Sequence, residues 1–165
     1  MNELLNKEPV KRVQKKLLEY DASYKVMVLA SSARTAQEAA ESLNTDVGSI
    51  VKSLLFKSEN NFILCLVSGD RRCSLNKLKK IKQQKDISMA NPQSVKEVTG
   101  FTIGGVSPIG HLKEVEIFID NNLKRFQNIY AAAGHPNCVY KVNFENLLKM
   151  TSGKVEDFTE WNLLL

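Results

Sequence analysis

Cysteine is scarce and poorly spaced for a structural role: the 165 residues hold three, Cys65, Cys73 and Cys138, an odd number with no C-x-x-C pair. A fully paired disulfide framework and a cysteine-built zinc site are thereby excluded, and a reducing compartment fits. Histidine is scarcer still, with only His111 and His135, and nothing resembles the H-E-x-x-H spacing of a zinc enzyme. No metal and no cofactor are expected. Long apolar runs are also missing, because a segment such as Phe62 to Val67 falls far short of the roughly 18 to 20 residues that cross a bilayer. No membrane partner is expected. The stretch Met1 to Lys16 is broken by Glu3, Lys7, Glu8, Lys11 and Arg12, too often for the apolar region of a signal peptide. A cytoplasmic location follows as the default. Internal repeats, Pro/Gly-rich linkers and low-complexity tracts are absent as well, so residues 1–165 read as a single domain.

What is present is ordinary globular composition, 43% hydrophobic and 25% charged, enough for one substantial core. The net charge of +5 is concentrated in Lys77, Lys79, Lys80, Lys82 and Lys85. An amphipathic helix would display several of them together, as a surface for phosphate backbones or simply as a solvated face.

Periodicity predicts a helix over Pro9 to Tyr20, with Val10, Val13, Leu17 and Leu18 at helical spacing and Pro9 in the first turn. A strand is predicted over Tyr24 to Ala30, then a helix over Ala36 to Leu43 headed by Thr35 and Glu38 in a capping-box pattern. Ile50 to Phe56 and Asn61 to Val67 read as a hairpin around Ser58-Glu59-Asn60. Leu75 to Ile81 is helical, Asp86 to Met89 a short strand, and Asn91-Pro92 starts a helix that ends before Gly100. Further strands are predicted at Val115 to Ile119, Ile129 to Ala132 and Val139 to Val142, with a closing helix from Phe144 to Met150. Hairpins and crossovers interspersed in this way predict an α+β domain, a mixed and mostly antiparallel, barrel-like sheet with surrounding helices.

Lys52 is the side chain most out of pattern, because strand alternation puts it on one face with Ile50, Leu54 and Phe56. An ammonium there either snorkels to the rim, as an edge lysine that discourages aggregation, or meets an anionic ligand. Ser53 occupies the opposite face. From Gly100 to Gly110, four glycines and Pro108 fall within eleven positions, a backbone that allows close approach and suits either a tight turn or a carbonyl cradle. It is neither a P-loop nor a nucleophile elbow, since Gly105-Val106-Ser107-Pro108-Ile109 lacks the closing glycine. A second small-residue loop, Ala131 to Asn137, delivers His135 after an apolar strand. His111 is read as solvent-facing.

Ile50-Val51-Lys52-Ser53-Leu54-Leu55-Phe56, Gly104-Gly105-Val106-Ser107-Pro108 and Ala133-Gly134-His135, in this order, resemble the YbaK/ProX family of aminoacyl-tRNA deacylases, related to the editing domain of bacterial prolyl-tRNA synthetases. The similarity runs from about Thr35 to Lys154. It implies hydrolysis of mischarged tRNA in trans, with tRNA as partner and an aminoacyl-tRNA synthetase as a candidate second partner. By the same resemblance Lys52 contacts the substrate near its terminal adenosine, and Gly104 to Pro108 hold the aminoacyl carbonyl. An activated ester needs only a placed water and a stabilised oxyanion, for which the main-chain N–H groups of Gly104 and Gly105 are the expected donors. Ser53, Ser107 and Pro108 contact substrate, and Gly134 and His135 border the amino-acid pocket. Ser31-Ser32-Ala33-Arg34-Thr35-Ala36 looks like the ProX-type branch, which acts on small amino acids. Relatives commonly carry Asp at the Ser74 position and Lys at the Asn76 position. Two other readings stand beside this one: a non-catalytic tRNA-binding module of the same fold, and a thiol hydrolase using Cys73 or Cys138 with His135.

Overall fold

The computed structural model describes residues 3–31 and 33–164; Ser32, within the segment that suggests the ProX-type branch, lies outside the described residues. Helix α1 (Glu8–Tyr20) buries Val10, Val13 and Leu17 along one stripe, and Pro9 lies in its first turn, where a missing N–H costs nothing. Strand β1 is shorter than predicted, only Met27–Val28. Its neighbours spend their N–H groups elsewhere, Val26 on Gln14 Oε1 and Leu29 on the Asn137 carbonyl, each at 2.8 Å. Helix α2 (Ala36–Leu43) is capped by Thr35, whose Oγ1 accepts from the Glu38 N–H at 3.1 Å.

Strands β2 (Ile50–Lys57) and β3 (Phe62–Ser68) form the predicted antiparallel hairpin. Next come β4 (Arg71–Cys73), α3 (Leu75–Lys82), β5 (Ser88–Met89) and α4 (Pro92–Thr99). Ser74 caps α3 by accepting from the Lys77 N–H at 3.3 Å. Serine and aspartate serve equally as N-caps, so this departure from relatives leaves the helix start intact. The chain closes with β6 (Glu116–Asp120), β7 (Ile129–His135), β8 (Cys138–Val142), α5 (Phe144–Thr151), β9 (Lys154–Glu156) and β10 (Thr159–Trp161). Strands β4, β9 and β10 escape the sequence reading because three residues carry no measurable period.

The large sheet runs β1-β8-β7-β2-β3-β6-β9, with β5 also on β2, while β4 and β10 pair separately. It is mixed: β1/β8, β7/β8, β2/β3 and β2/β5 are antiparallel, and β2/β7, β3/β6 and β6/β9 are parallel. The architecture is therefore α+β. Strand β3 sits at the centre and is buried on both faces, which explains its unbroken apolar sequence. Leu64 and Leu66 face the main core with Val13, Leu17, Phe101, Ile129 and Leu147, whereas Ile63, Cys65 and Val67 face a second core with Leu78, Phe118 and Phe158.

Between α4 and β6 the glycine-rich segment forms no strand, and its path is held by side chains. Arg12 of α1 donates to the carbonyls of Gly110 at 2.8 Å and Gly100 at 3.0 Å. His111 is not solvent-facing. Its ring is half-buried edge-on to Phe101, and Nε2 lies 2.6 Å from the Ser107 carbonyl, to which it donates. A polar residue beside a glycine reads as exposed in sequence, but the carbonyls of this loop need donors once they are buried. Burial pushes the His111 pKa down; the Ser107 carbonyl opposes that shift and Arg12 adds to it. A histidine held neutral in the fold is protonated more readily when unfolded, so its contribution is complete above the ordinary value of 6.5 and declines as pH falls below it. We expect the wild-type melting temperature to fall more than that of His111→Gln between about pH 7 and about pH 5. Parallel pH profiles of the two proteins would contradict this account.

Candidate active site

Strand β7 accompanies β2 only briefly, with Ile50 opposite Tyr130 and Val51 opposite Ala131. A bulge between Ala132 and His135, where Gly134 takes φ +92°, then bends β7 away. Strand β5 meets β2 only at Phe56 and Lys57. Among the described residues no strand covers Lys52, Ser53 and Leu54 on this edge, and a cavity of about 440 Å³ occupies the gap. The Leu55 carbonyl accepts from the Ala90 N–H at 3.0 Å across the same edge. Main-chain groups alternate direction along a strand, so the N–H and C=O of Ser53 point toward the gap as well.

The cavity wall has three chemical zones. One is cationic: Lys52, half-buried, and Arg34 at the mouth. Nζ of Lys52 donates to the Arg71 carbonyl, and burial lowers its pKa, opposed by the negative charges of Asp70 and Asp120. The second is apolar and small, with Val51, Leu55, Ala90, Val95 and Val106. Enclosed by these side chains, the Oγ of Ser53 has no hydrogen-bond partner among the described residues. The third is Gly104, at φ +90°, opposite Pro136. Its N–H donates to no backbone carbonyl among the described residues. Among the described residues no carboxylate, imidazole or thiol lines the wall.

Of the residues picked out in the sequence, Lys52, Ser53 and Gly104 line this cavity. Gly105, Ser107, Pro108, Gly134 and His135 do not; they assemble it from behind. The Gly105 N–H is already given to the Thr102 carbonyl at 2.9 Å, so of the two glycines expected to offer an N–H only Gly104 has one that donates to no backbone carbonyl among the described residues. Gly105 instead accepts from the Gly134 N–H at 3.1 Å, and a Cβ on it would stand 3.0 Å from His135 backbone atoms. The glycine loop is thus docked directly on the β7 bulge. Gly134 in turn faces α1, where a Cβ would meet the Pro9 carbonyl at 2.7 Å. Ser107 and Pro108 are buried beneath the loop, and Ser107 Oγ accepts from the Ile109 N–H at 3.2 Å.

His135 Nδ1 accepts from the Asn137 N–H at 3.0 Å, closing a turn whose Asn137 side chain receives the Ala33 N–H at 3.1 Å. Burial lowers its pKa, and Lys7 adds to the shift. His135 therefore anchors the segment that brings Ala33 and Arg34 to the wall. Cys138 is buried, and Cys73 packs with Cys65 in the second core. Cys138 stands opposite His135 in the β7/β8 register, but neither it nor Cys73 is among the described residues that line the cavity, and burial raises the Cys138 pKa, which disfavours the thiolate a thiol hydrolase needs. Arg34, Tyr130, Pro136 and Asn162 are wall residues that sequence reasoning missed. Only Pro136, beside the histidine turn, carried a local signal.

The model of the aminoacyl-tRNA editing domain matches residues 30–150. The uncharacterized protein YwhH of Bacillus subtilis (strain 168) is 30% identical over 88% of this chain and 93% of its own. Proline–tRNA ligase of Thermosipho melanesiensis is 32% identical over 76% of this chain, which spans only 22% of the ligase. A crystal structure provisionally assigned as a trans-editing enzyme for prolyl tRNA synthetase superposes with a TM-score of 0.88 at 37% identity, covering 93% of this chain and 98% of that one. A cavity walled by a lysine strand and a bare glycine bend, in a chain matched over most of its length, leads to one conclusion: the protein belongs to the aminoacyl-tRNA editing domain family.

Proposed function

We propose that the protein is a free-standing, cytoplasmic trans-editing hydrolase of the ProX type, which cleaves the ester of tRNA mischarged with a small amino acid. Alanine, 2-aminobutyrate and cysteine on the tRNA for proline are the candidate substrates, and a synthetase is a candidate partner. The observation that carries the reading is the wall itself, which among the described residues holds two cations, a glycine whose N–H donates to no backbone carbonyl, and no acid, imidazole or thiol. Such a wall suits an acyl group that is already activated. An aminoacyl ester needs a placed water and a stabilised oxyanion, not a nucleophilic triad.

In the proposed reaction the Gly104 N–H faces the developing oxyanion, and Lys52 fixes the terminal nucleotide by a charge-assisted hydrogen bond. Water adds to the acyl carbon, the acyl C–O bond breaks, and the departing ribose oxygen takes the proton. The neighbouring ribose hydroxyl of the substrate helps to activate the water, since the described wall residues include no carboxylate or imidazole. Ser53 offers its main-chain carbonyl and its unpaired Oγ to the substrate's amino group. The small apolar zone then admits short side chains and excludes long ones by volume, because accepting a methylene is worth only about 1 to 3 kcal/mol.

Replacing Lys52 separates activity from stability. Lysine 52 is partly desolvated, and a group whose pKa is lowered by burial destabilises the fold most at pH values where it is charged. Lys52→Met is expected to lower kcat/KM for deacylation by about 10-fold to 100-fold, in line with the loss of a hydrogen bond made by a charged group, without lowering the melting temperature. Turnover within a few-fold of wild type would contradict the assigned role. Salt-sensitive tRNA binding by a wild-type protein that hydrolyses no ester would favour the non-catalytic module instead.

The ammonium also sets a pH signature. Its pKa lies below the ordinary lysine value of 10.5, so the rate advantage of wild type over Lys52→Met should shrink as pH rises through that lowered value. An advantage that grows with pH would overturn it. For selectivity, alanyl, aminobutyryl and cysteinyl esters should be cleaved at least about tenfold faster than leucyl or phenylalanyl esters on the same tRNA. Equal rates would reject exclusion by size.

A further inference from the structure

The chain has one tryptophan, Trp161, which lies beyond residues 30–150 matched by the family model and is 55% exposed. It is nevertheless firmly placed. Pairing of β10 with β4 sets Trp161 opposite Arg71, whose guanidinium carbon lies 4.5 Å from the ring centroid. That guanidinium is fixed in turn, Nε donating to Thr159 Oγ1 at 3.1 Å and Nη2 to the Thr159 carbonyl at 3.2 Å. A second guanidinium, of Arg125, lies 5.5 Å from the same ring and is held by Asp70 at 2.7 Å and Ser68 Oγ at 2.8 Å. Of the nearby carboxylates, Asp70 is engaged by Arg125 and Glu160 by Arg72, the latter at 2.9 Å.

This assembly adjoins the cavity. Asn162, the next residue, lines it, with its N–H donated to the Asp70 carbonyl at 3.1 Å. The carbonyl of Arg71 is the group that receives Lys52 Nζ. An aromatic ring held by guanidinium groups at the rim of a cationic cavity combines the two elements that bind single strands: a π-face for bases and positive charge for phosphates.

We infer that Trp161, with Arg71 and Arg125, is a stacking platform for the unpaired nucleobases that lead into the cavity. The inference rests on the aminoacyl-tRNA reading, and it assigns a site for the strand next to the reacting end. Two guanidinium groups around the ring favour a planar, phosphate-bearing strand over an aliphatic protein surface. Stacking is tolerant of base identity, so the platform adds affinity without choosing the tRNA.

Because Trp161 is the sole tryptophan, its fluorescence reports on this place alone. Titrating the full chain with a tetranucleotide RNA ending in C-C-A should quench it saturably, and less so as salt rises. With mischarged tRNA, Trp161→Ala should raise KM by about 5-fold to 100-fold with kcat within twofold, and Trp161→Phe should recover most of that loss. Circular dichroism of both variants verifies folding. Unmoved fluorescence together with an unchanged KM in Trp161→Ala overturns the platform and leaves the rim to a protein partner, while deacylation by wild type would still stand. Quenching by RNA in a wild-type protein that deacylates nothing would keep the platform and remove the hydrolase.

Discussion

Everything at the site depends on β7 leaving β2. Two strands that stayed paired would bury the Ser53 edge in a ladder, and no ligand could reach it. The departure is built into the backbone: a bulge after Ala132, Gly134 at φ +92°, and α1 packed so closely on that glycine that a Cβ there would meet the Pro9 backbone. The vacated edge is then walled by elements that each have an independent reason to be there. The glycine loop docks on the bulge through the Gly134 to Gly105 hydrogen bond, and the His135 to Asn137 turn holds Ala33 in place.

This arrangement divides labour among small residues. Gly104 lines the cavity and its N–H donates to no backbone carbonyl among the described residues, whereas Gly105 and Gly134 are small so that two backbones can touch. Lys52 is tolerated because its ammonium finds the Arg71 carbonyl and the distant charges of Asp70 and Asp120, yet burial still disfavours its charge. Such a residue is a cost to the fold that binding an anionic nucleotide would offset. The same β4 carbonyl ties the lysine to the Arg71 and Trp161 pair at the rim, so the cationic zone and the aromatic zone share one strand.

Much of this was legible in the sequence. The β2/β3 hairpin, the caps at Thr35 and Asn91 and the apolar stripe of α1 follow from local periodicity and capping chemistry, which act over a few residues. Lys52 stood out because it violated alternation, and the paired glycines because only glycine fits where backbones meet. What stayed hidden is non-local. The gap in the sheet arises from register between strands far apart in sequence, and Arg34, Tyr130 and Asn162 join the wall only after folding. Sequence spacing does not tell a glycine whose N–H is unengaged from one that merely lets two chains approach, and nothing local to Gly105 signals that the Thr102 carbonyl takes its N–H. His111 misled for a related reason, since its partner carbonyl belongs to the loop it locks.

The most direct measurement is a crystal structure of the protein with a non-hydrolysable amide analogue of an alanylated terminal adenosine. The account predicts the amide oxygen within hydrogen-bonding distance of the Gly104 N–H, the alanyl methyl beside Val51, Leu55 and Val95, and Lys52 turned from the Arg71 carbonyl to the nucleotide. An analogue seated outside the gap in β2, or inside it with its amide oxygen away from Gly104, would contradict it.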